Sequence, residues 1–399
     1  MFPSGTPIPH ELLSTTASEG DISILIGENG SGKSQLLGEL TRQYLGQGKK
    51  VIAISNSIHD KFPDSGRNLH LLRDRAGRKK ARRSIKHSLL HISPEEITRF
   101  KNVSKALSYV GYDPVIGIER INISEMHLDE ALKEKREGSK DMGSPDDLSA
   151  RIDLDPSLDN LRSLLLKSSS ISSESIVWLS LNDFSFYELD RVSLIQLLQY
   201  ESLLKKLNLI QQIQLYLRKK DQIIELYDAS SGELNFISTI IYLSTVINEN
   251  CAILIDEPEN SLHPSWQKDY IRLLIELFYL YQPKIVAATH SALILTGAEV
   301  ANPTTIVFEC HNFQFARKTK EPINIEEAFY NYFNVITPEN RFLSEFIVDE
   351  LNKLAEKKIN YDSFLTEINA LQEKAFEPKQ ISLFDGLREI ALKIVDSAN

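Results

Sequence analysis

Residues 22–35 read ISILIGENGSGKSQ. Ile22, Ile24, Leu25 and Ile26 form a short apolar run that fits one strand of a buried parallel sheet. From Gln35-Leu36-Leu37 onward the pattern is helical. Between them GENGSGKS, residues 27–34, matches G-x-x-x-x-G-K-[ST] in the strand–loop–helix setting that gives this motif its meaning. Gly27, Gly30 and Gly32 let the backbone turn its N–H groups toward phosphate oxygens, and the helix dipole adds to the attraction. The segment Gly27, Glu28, Asn29, Gly30, Ser31, Gly32, Lys33, Ser34 and Gln35 is therefore expected to wrap the phosphates of a nucleoside triphosphate. Lys33 is placed to reach the β- and γ-phosphates, and Ser34 to ligate Mg²⁺.

Residues 251–258 read CAILIDEP. Ile253-Leu254-Ile255 is a second buried-strand run, and it ends in two adjacent carboxylates. Many strands end in acids, but a phosphate loop upstream needs a strand-end Asp for its magnesium. Asp256 takes that role in this reading. Glu257 is expected to act on the attacking water as general base or positioning group. A third run, Lys284–Thr289, ends in His290-Ser291.

Three segments narrow the class. Residues 229–233 read ASSGE, 258–264 read PENSLHP, and 287–291 read AATHS. Together with GENGSGKS and DEP they resemble the ABC superfamily, in the branch of chromosome-maintenance, RecF-like and OLD-type ATPases rather than transporters. Within it the chain is most similar to ATPase subunits of antiphage systems, such as the PtuA subunit of Septu and retron-associated ATPases; VIAISNSIHDKFP after the first helix adds to that likeness. The motif-bearing parts, about 20–60 and 220–310, cover less than half of the chain. The resemblance implies an α/β fold, an ABC-type P-loop head with an inserted helical lobe and a helical C-terminal extension. It implies that Ser230, Ser231, Gly232 and Glu233 form a signature that meets the nucleotide held by a second copy, and that His290 contacts the γ-phosphate. His263 stands where transporters carry Asp. No residue is assigned to the family's glutamine near the metal; neither Asn56 nor Gln196 is a convincing candidate.

The 399 residues carry a net charge of −10 and two cysteines. No global basic field favours nucleic acid, and no disulfide framework or metal-ligand spacing is present. No apolar span of about 18 residues is present, and the N-terminus has no signal-peptide pattern, so a cytoplasmic protein without membrane contact is expected. The pattern predicts a first core piece over 1–65, a basic segment and mainly helical insertion over 66–225, a second core piece over 226–320 and helices over 321–399. Within the insertion, 133–147 reads as an exposed loop, Ile176–Leu181 as a strand, and Asp190–Leu217 as one or two long helices. Thr337-Pro338-Glu339 reads as a helix start.

Between Arg67 and Lys86 stand nine basic residues and one acid, Asp74. This cluster suits nucleic-acid phosphates, the nucleotide or an acidic partner, or a solvated face; it lacks the interleaved aromatics of a base-stacking surface. Glu345, Asp349 and Glu350 read as the wet face of an amphipathic helix. Cys310-His311-Asn312 carries letters of an HNH nuclease without further ligands. The resemblance therefore implies a separate nuclease effector, of the HNH type, as partner, with Phe342, Phe346, Leu351 and Leu354 either docking it or packing on the chain's own core.

Overall fold

A computed structural model describes residues 2–3, 5–14, 22–57, 59–73, 78–90, 97–140, 157–170, 175–182, 189–318, 341–373 and 378–397. In chain order the strands are β1 (Ile22–Ile26), β2 (Val51–Ser55), β3 (Leu69–Arg73), β4 (Val115–Glu119), β5 (Ile176–Ser180), β6 (Leu215–Lys219), β7 (Gln222–Glu225), β8 (Ala252–Asp256), β9 (Lys284–Ala288), β10 (Ile306–His311) and β11 (Gln314–Arg317). The helices are α1 (His10–Leu13), α2 (Lys33–Gly46), α3 (Arg78–Leu90), α4 (Ile97–Val110), α5 (Glu125–Lys140), α6 (Ser157–Ser170), α7 (Leu189–Leu197), α8 (Glu201–Lys206), α9 (Ser231–Val246), α10 (Pro264–Phe278), α11 (Ala292–Ala301), α12 (Arg341–Ala355), α13 (Tyr361–Glu373) and α14 (Pro378–Ser397). The chain divides into two compact units, Met1–Leu71 with Glu249–Asn399, and Leu72–Asn248.

The first unit is built on a mostly parallel sheet in the order β11-β10-β1-β9-β8-β2-β3. The β10–β1, β1–β9, β9–β8 and β8–β2 pairs are parallel, and β10–β11 is an antiparallel hairpin. β1, β2 and β8 are buried at every position, as continuous apolar runs require when both sheet faces are covered. One face packs on α2, whose Leu36, Leu37, Leu40 and Tyr44 recur at helical spacing. They meet Leu25, Val51, Ala53, Leu254, Val286 and Phe308 from the strands. Parallel pairing brings the carboxyl ends of β1, β9, β8 and β2 to one edge. The ladder continues one step past them: Thr289 N donates to Leu25 O (3.0 Å), Glu257 N to Ala288 O (2.9 Å) and Asn56 N to Asp256 O (3.1 Å). Such an edge is where open α/β sheets hold ligands.

Helices α12–α14 share an apolar core of their own, with Ile347, Leu354, Phe364, Ile368, Leu371, Phe384 and Leu387 buried. Phe346 and Leu351 pack against it. Glu345 and Asp349 are exposed, whereas Glu350 is buried. Residues 319–340, and with them the expected helix start at Thr337, lie outside the described residues.

The second unit differs from the mainly helical expectation. It contains an antiparallel sheet in the order β5-β4-β6-β7. Of its strands only β5 was expected, from the run Ile176–Leu181; in the structure its buried residues alternate. β4 is VIGIE, where Gly117 interrupts an apolar run too short to distinguish from helix. The stretch expected as long helices stops at Lys206, and Leu215–Lys219 is a strand whose buried positions again alternate. Residues 133–140, expected as loop, continue α5, and 141–147 lie outside the described residues. The signature segment, expected to reopen the core at 226, falls in this unit with α9, which packs on α3 and α4.

Arg82 and Lys86 of the basic segment lie on α3 and turn to Glu201, which is only 3% exposed. Their bonds to its carboxylate are 2.5 and 2.7 Å, and Ile213 N adds a third at 3.1 Å. Burial pushes the Glu201 carboxyl up, but Lys86, the Ile213 N–H and Arg82 outweigh it and hold the group below its ordinary value. Two of the nine cations thus hold the unit together. Arg75 and the side chains of Arg78, Lys79 and Lys80 lie outside the described residues.

Candidate nucleotide site

The loop Gly27–Gly32 leaves β1 and enters α2 with positive φ at three glycines: 144° at Gly27, 81° at Gly30 and 104° at Gly32. Two of them are also forced by contact. A Cβ on Gly27 would lie 2.2 Å from Cys310 O, and one on Gly32 would lie 2.7 Å from the Phe313 ring. Phe313 sits in the β10–β11 turn, and its N–H donates to Ser31 O across 3.1 Å. The hairpin turn therefore backs the loop from one side. Sequence reading gave Phe313 no role, and no sequence signal marks it. Ser31 is buried, and the buried Gln35 Oε1 has no hydrogen-bond partner among the described residues.

Lys33 starts α2 and is buried. Its Nζ donates to Gly27 O (2.8 Å) and Glu28 O (3.0 Å), arching over the loop that is to receive phosphate. Burial lowers its pKa, while Asp256, Glu259 and Glu257 push the other way. Beside it, Ser34 Oγ donates to Asp256 Oδ1 at 3.0 Å. Asp256 is 1% exposed at the end of β8. Burial pushes its carboxyl up to about 7 against the Ser34 hydrogen bond, with Glu257 and Asp60 adding to the rise. That is the electrostatic situation a divalent cation relieves. A hydroxyl and a carboxylate side by side form a hard oxygen donor set suited to Mg²⁺. Ser34 and Asp256 are thus the residues that fit the metal which a phosphate loop uses.

Glu257 follows in the left-handed region, at φ 52°. A non-glycine residue pays for that conformation in strain, and such residues cluster at working sites. Its Oε2 accepts from Asn260 Nδ2 at 2.7 Å. The same amide donates to Asn56 O at 3.1 Å. Glu259 is half-buried and accepts from Thr289 Oγ1 (2.7 Å) and His290 N (2.6 Å). Burial raises its pKa. His290 is half-buried, and its pKa is lowered by burial and then by Lys33, so the imidazole is held neutral near pH 7. His263 Nδ1 accepts from Ser265 N and caps α10. Lys33, Ser34, Asp256, Glu257 and His290 are thus all brought to one sheet edge. Sequence reading missed Glu259 and Asn260, although DEPEN shows them; their partners Thr289, His290 and Asn56 are remote in sequence. Asn56 lies buried one residue past β2, directly beside Asp256, whereas Gln196 lies in α7 of the other unit.

Cys251 and Cys310 are both buried, and neither is in a disulfide. Burial pushes the Cys310 thiol up to about 12, so it is inert as a nucleophile.

In the second unit Ser230 is the N-cap of α9. Its hydroxyl accepts from Glu233 N, and Glu233 Oε2 accepts from Ser230 N, a reciprocal capping box. The Glu233 carboxylate also receives Tyr112 OH (2.7 Å) and Lys219 Nζ (2.9 Å). Glu233, expected to touch nucleotide, is therefore engaged by its own unit. Ser230 and Ser231 are exposed at the helix start, while Gly232 is buried.

Among the described residues no helix is long and apolar enough to cross a membrane, and no group of three His, Cys, Asp or Glu residues is arranged to hold a metal. A comparison with curated proteins gave no match. A family model described as "AAA domain, putative AbiEii toxin, Type IV TA system" matches residues 22–296. That span runs from β1 past His290, holds the loop 27–35, Ser230–Glu233, Asp256, Glu257, Glu259, Asn260 and His290, and covers more than half of the chain, which therefore belongs to this family of P-loop ATPase domains, AAA_21.

Proposed function

We propose that the chain is an ATP-hydrolysing switch that works in pairs of copies. The observation that carries this is the Glu257 carboxylate, held by Asn260 beside the Ser34–Asp256 pair. ATP lies along residues 27–35, with Lys33 leaving its carbonyl partners for the β- and γ-phosphates. Ser34 and Asp256 would hold Mg²⁺, which would supply neutralising charge to the phosphates. Glu257 orients a water for attack on the γ-phosphorus and takes its proton, while the bond from that phosphorus to the β–γ bridging oxygen breaks and ADP leaves. His290, neutral, donates a hydrogen bond to the γ-phosphate and reports its presence.

The signature supports pairing. Ser230 and Ser231 present exposed hydroxyls at the positive end of α9, and a helix start of this kind suits an anion. In this reading Ser230, Ser231 and Gly232 of one copy close on the phosphates held by the other. ATP then favours the closed pair and hydrolysis releases it. The motif combination further supports control of a separate HNH-type nuclease in antiphage defence. The helices α12–α14, which carry exposed Val348, Ile390 and Leu392, are assigned to holding that effector.

The test mixes two inactive variants. Lys33→Ala and a Ser230→Ala/Gly232→Ala variant are expected to be inert alone, and their mixture to regain up to about a quarter of wild-type turnover if sites are composite. Light scattering of Glu257→Gln with ATP and Mg²⁺ should show a dimer. Failure of both measurements sinks the paired switch. Turnover stimulated by DNA would favour a repair ATPase instead, and tight ATP binding with turnover insensitive to Glu257→Gln would favour a nucleotide-stabilised scaffold. Co-purification with a neighbouring HNH nuclease, changed by ATP, tests the defence role.

A further inference from the structure

Resting on the hydrolytic reading above, we infer that Glu259 and Asn260 are positioning residues, which set the water-activating carboxylate and the γ-phosphate-sensing histidine in register with each other. The two side chains leave one turn in opposite directions. Asn260 Nδ2 holds Glu257 Oε2 at 2.7 Å and Asn56 O at 3.1 Å, so the end of β2 fixes the carboxylate. Glu259 holds the His290 backbone N–H at 2.6 Å and the Thr289 hydroxyl at 2.7 Å, so the same turn fixes the end of β9.

The brace extends further. Ser291 N donates to Thr289 Oγ1 (2.9 Å), Ser291 Oγ to Gln267 Oε1 (2.7 Å), and Gln267 Nε2 returns to Leu262 O (3.0 Å). Residues 257–262 and 289–291 are thus one closed hydrogen-bonded ring across β8, β9 and α10. Its geometry answers a specific need. Glu257 has the left-handed backbone and is connected to its carboxylate by rotatable bonds, and among the described residues Asn260 is the side chain that holds its Oε2. His290 lies two residues past the end of β9, and Glu259 is the acceptor that fixes its backbone. Neither Glu259 nor Asn260 is assigned to touch ATP; both act through the residues they hold.

The experiment measures steady-state Mg²⁺-ATPase activity, affinity for a fluorescent ATP analogue and thermal melting for wild type, Glu257→Gln, Asn260→Ala, Asn260→Asp, Glu259→Ala and Glu259→Gln. Asn260→Asp keeps the shape but removes the donor, so it should lose kcat as Asn260→Ala does, about 10- to 100-fold, with KM within about threefold. Glu259→Gln keeps one acceptor oxygen and should recover part of the kcat lost in Glu259→Ala. Analogue affinity and melting should stay near wild type in Asn260→Asp and Glu259→Gln. Wild-type turnover that depends on Glu257 but survives both alanine variants within about twofold overturns the inference alone. Loss of turnover, affinity and melting together in the isosteric variants shows a merely structural role and overturns it too. No Glu257-dependent turnover in wild type overturns the hydrolytic reading, and this inference with it.

Discussion

Ser34 Oγ donates to Asp256 Oδ1 across 3.0 Å, joining the first turn of α2 to the end of β8 over 222 residues of chain. No local propensity makes this contact. It exists because the parallel sheet places β1 and β8 two strands apart with β9 between them. Ser34→Ala and Asp256→Asn should each lower Mg²⁺-dependent ATP affinity by about 10- to 100-fold, as loss of a ligand or its support does. Removing the metal with EDTA should bring wild type and Ser34→Ala within about threefold of each other. Titration calorimetry with and without Mg²⁺ checks both; equal losses with and without metal would remove Ser34 from the metal site.

Gly32 carries two constraints that one substitution can separate. Its φ of 104° disfavours any side chain, and its missing Cβ leaves room for the Phe313 ring. Gly32→Ala should cost about 1–2 kcal/mol from the backbone alone, with overlap against Phe313 added. Adding Phe313→Ala should restore the overlap part only. Melting curves of the two single variants and the double variant check this through a double-mutant cycle. Strict additivity would mean that Phe313 does not press on the loop.

The head was legible because its signals are local. A five-residue apolar strand, three glycines and a Lys-Ser pair specify one loop, and IDEP and ATHS mark the ends of two further strands. What was hidden depends on partners remote in sequence. Phe313 is a lone aromatic in a turn until the β10–β11 hairpin folds back on Ser31. Glu259 is one more acid until β9 brings Thr289 and His290 beside it. The sheet of the second unit was missed for a related reason: Leu215–Lys219 adjoins a helical run, and alternation over five residues is weak evidence. Glu233 shows the converse, a motif residue engaged by Tyr112 and Lys219.

Glu201 anchors the second unit by charge. Its removal leaves Arg82 and Lys86 facing a dry site, and breaking such a buried pair costs about 3–5 kcal/mol. Glu201→Ala should therefore lower the denaturation midpoint strongly, and Glu201→Gln less, since it keeps an acceptor for Arg82. The sign with pH follows from its lowered pKa. The native carboxylate holds no proton where the unfolded one does, so its stabilisation is full above the ordinary value of 4.5 and is lost as pH falls below it. Urea midpoints at pH 7 and pH 4 check this: the gap between wild type and Glu201→Ala should narrow in acid.

His290 gives the opposite group with the same sign. Its pKa is lowered from 6.5 by burial and by Lys33, so the unfolded chain takes a proton that the folded chain refuses. Stability then rises with pH through the interval below 6.5 and is free of this penalty above it. His290→Gln cannot take up that proton, so it should lose less stability than wild type between pH 7.5 and pH 5.5. It should also lose turnover, because neutral His290 is the γ-phosphate donor in the proposed cycle. The two effects separate the roles. A stability curve unchanged by His290→Gln would show that burial does not hold the imidazole neutral. Turnover unchanged by the same substitution would remove His290 from the chemistry while leaving the Ser34–Asp256 and Glu257 assignments standing.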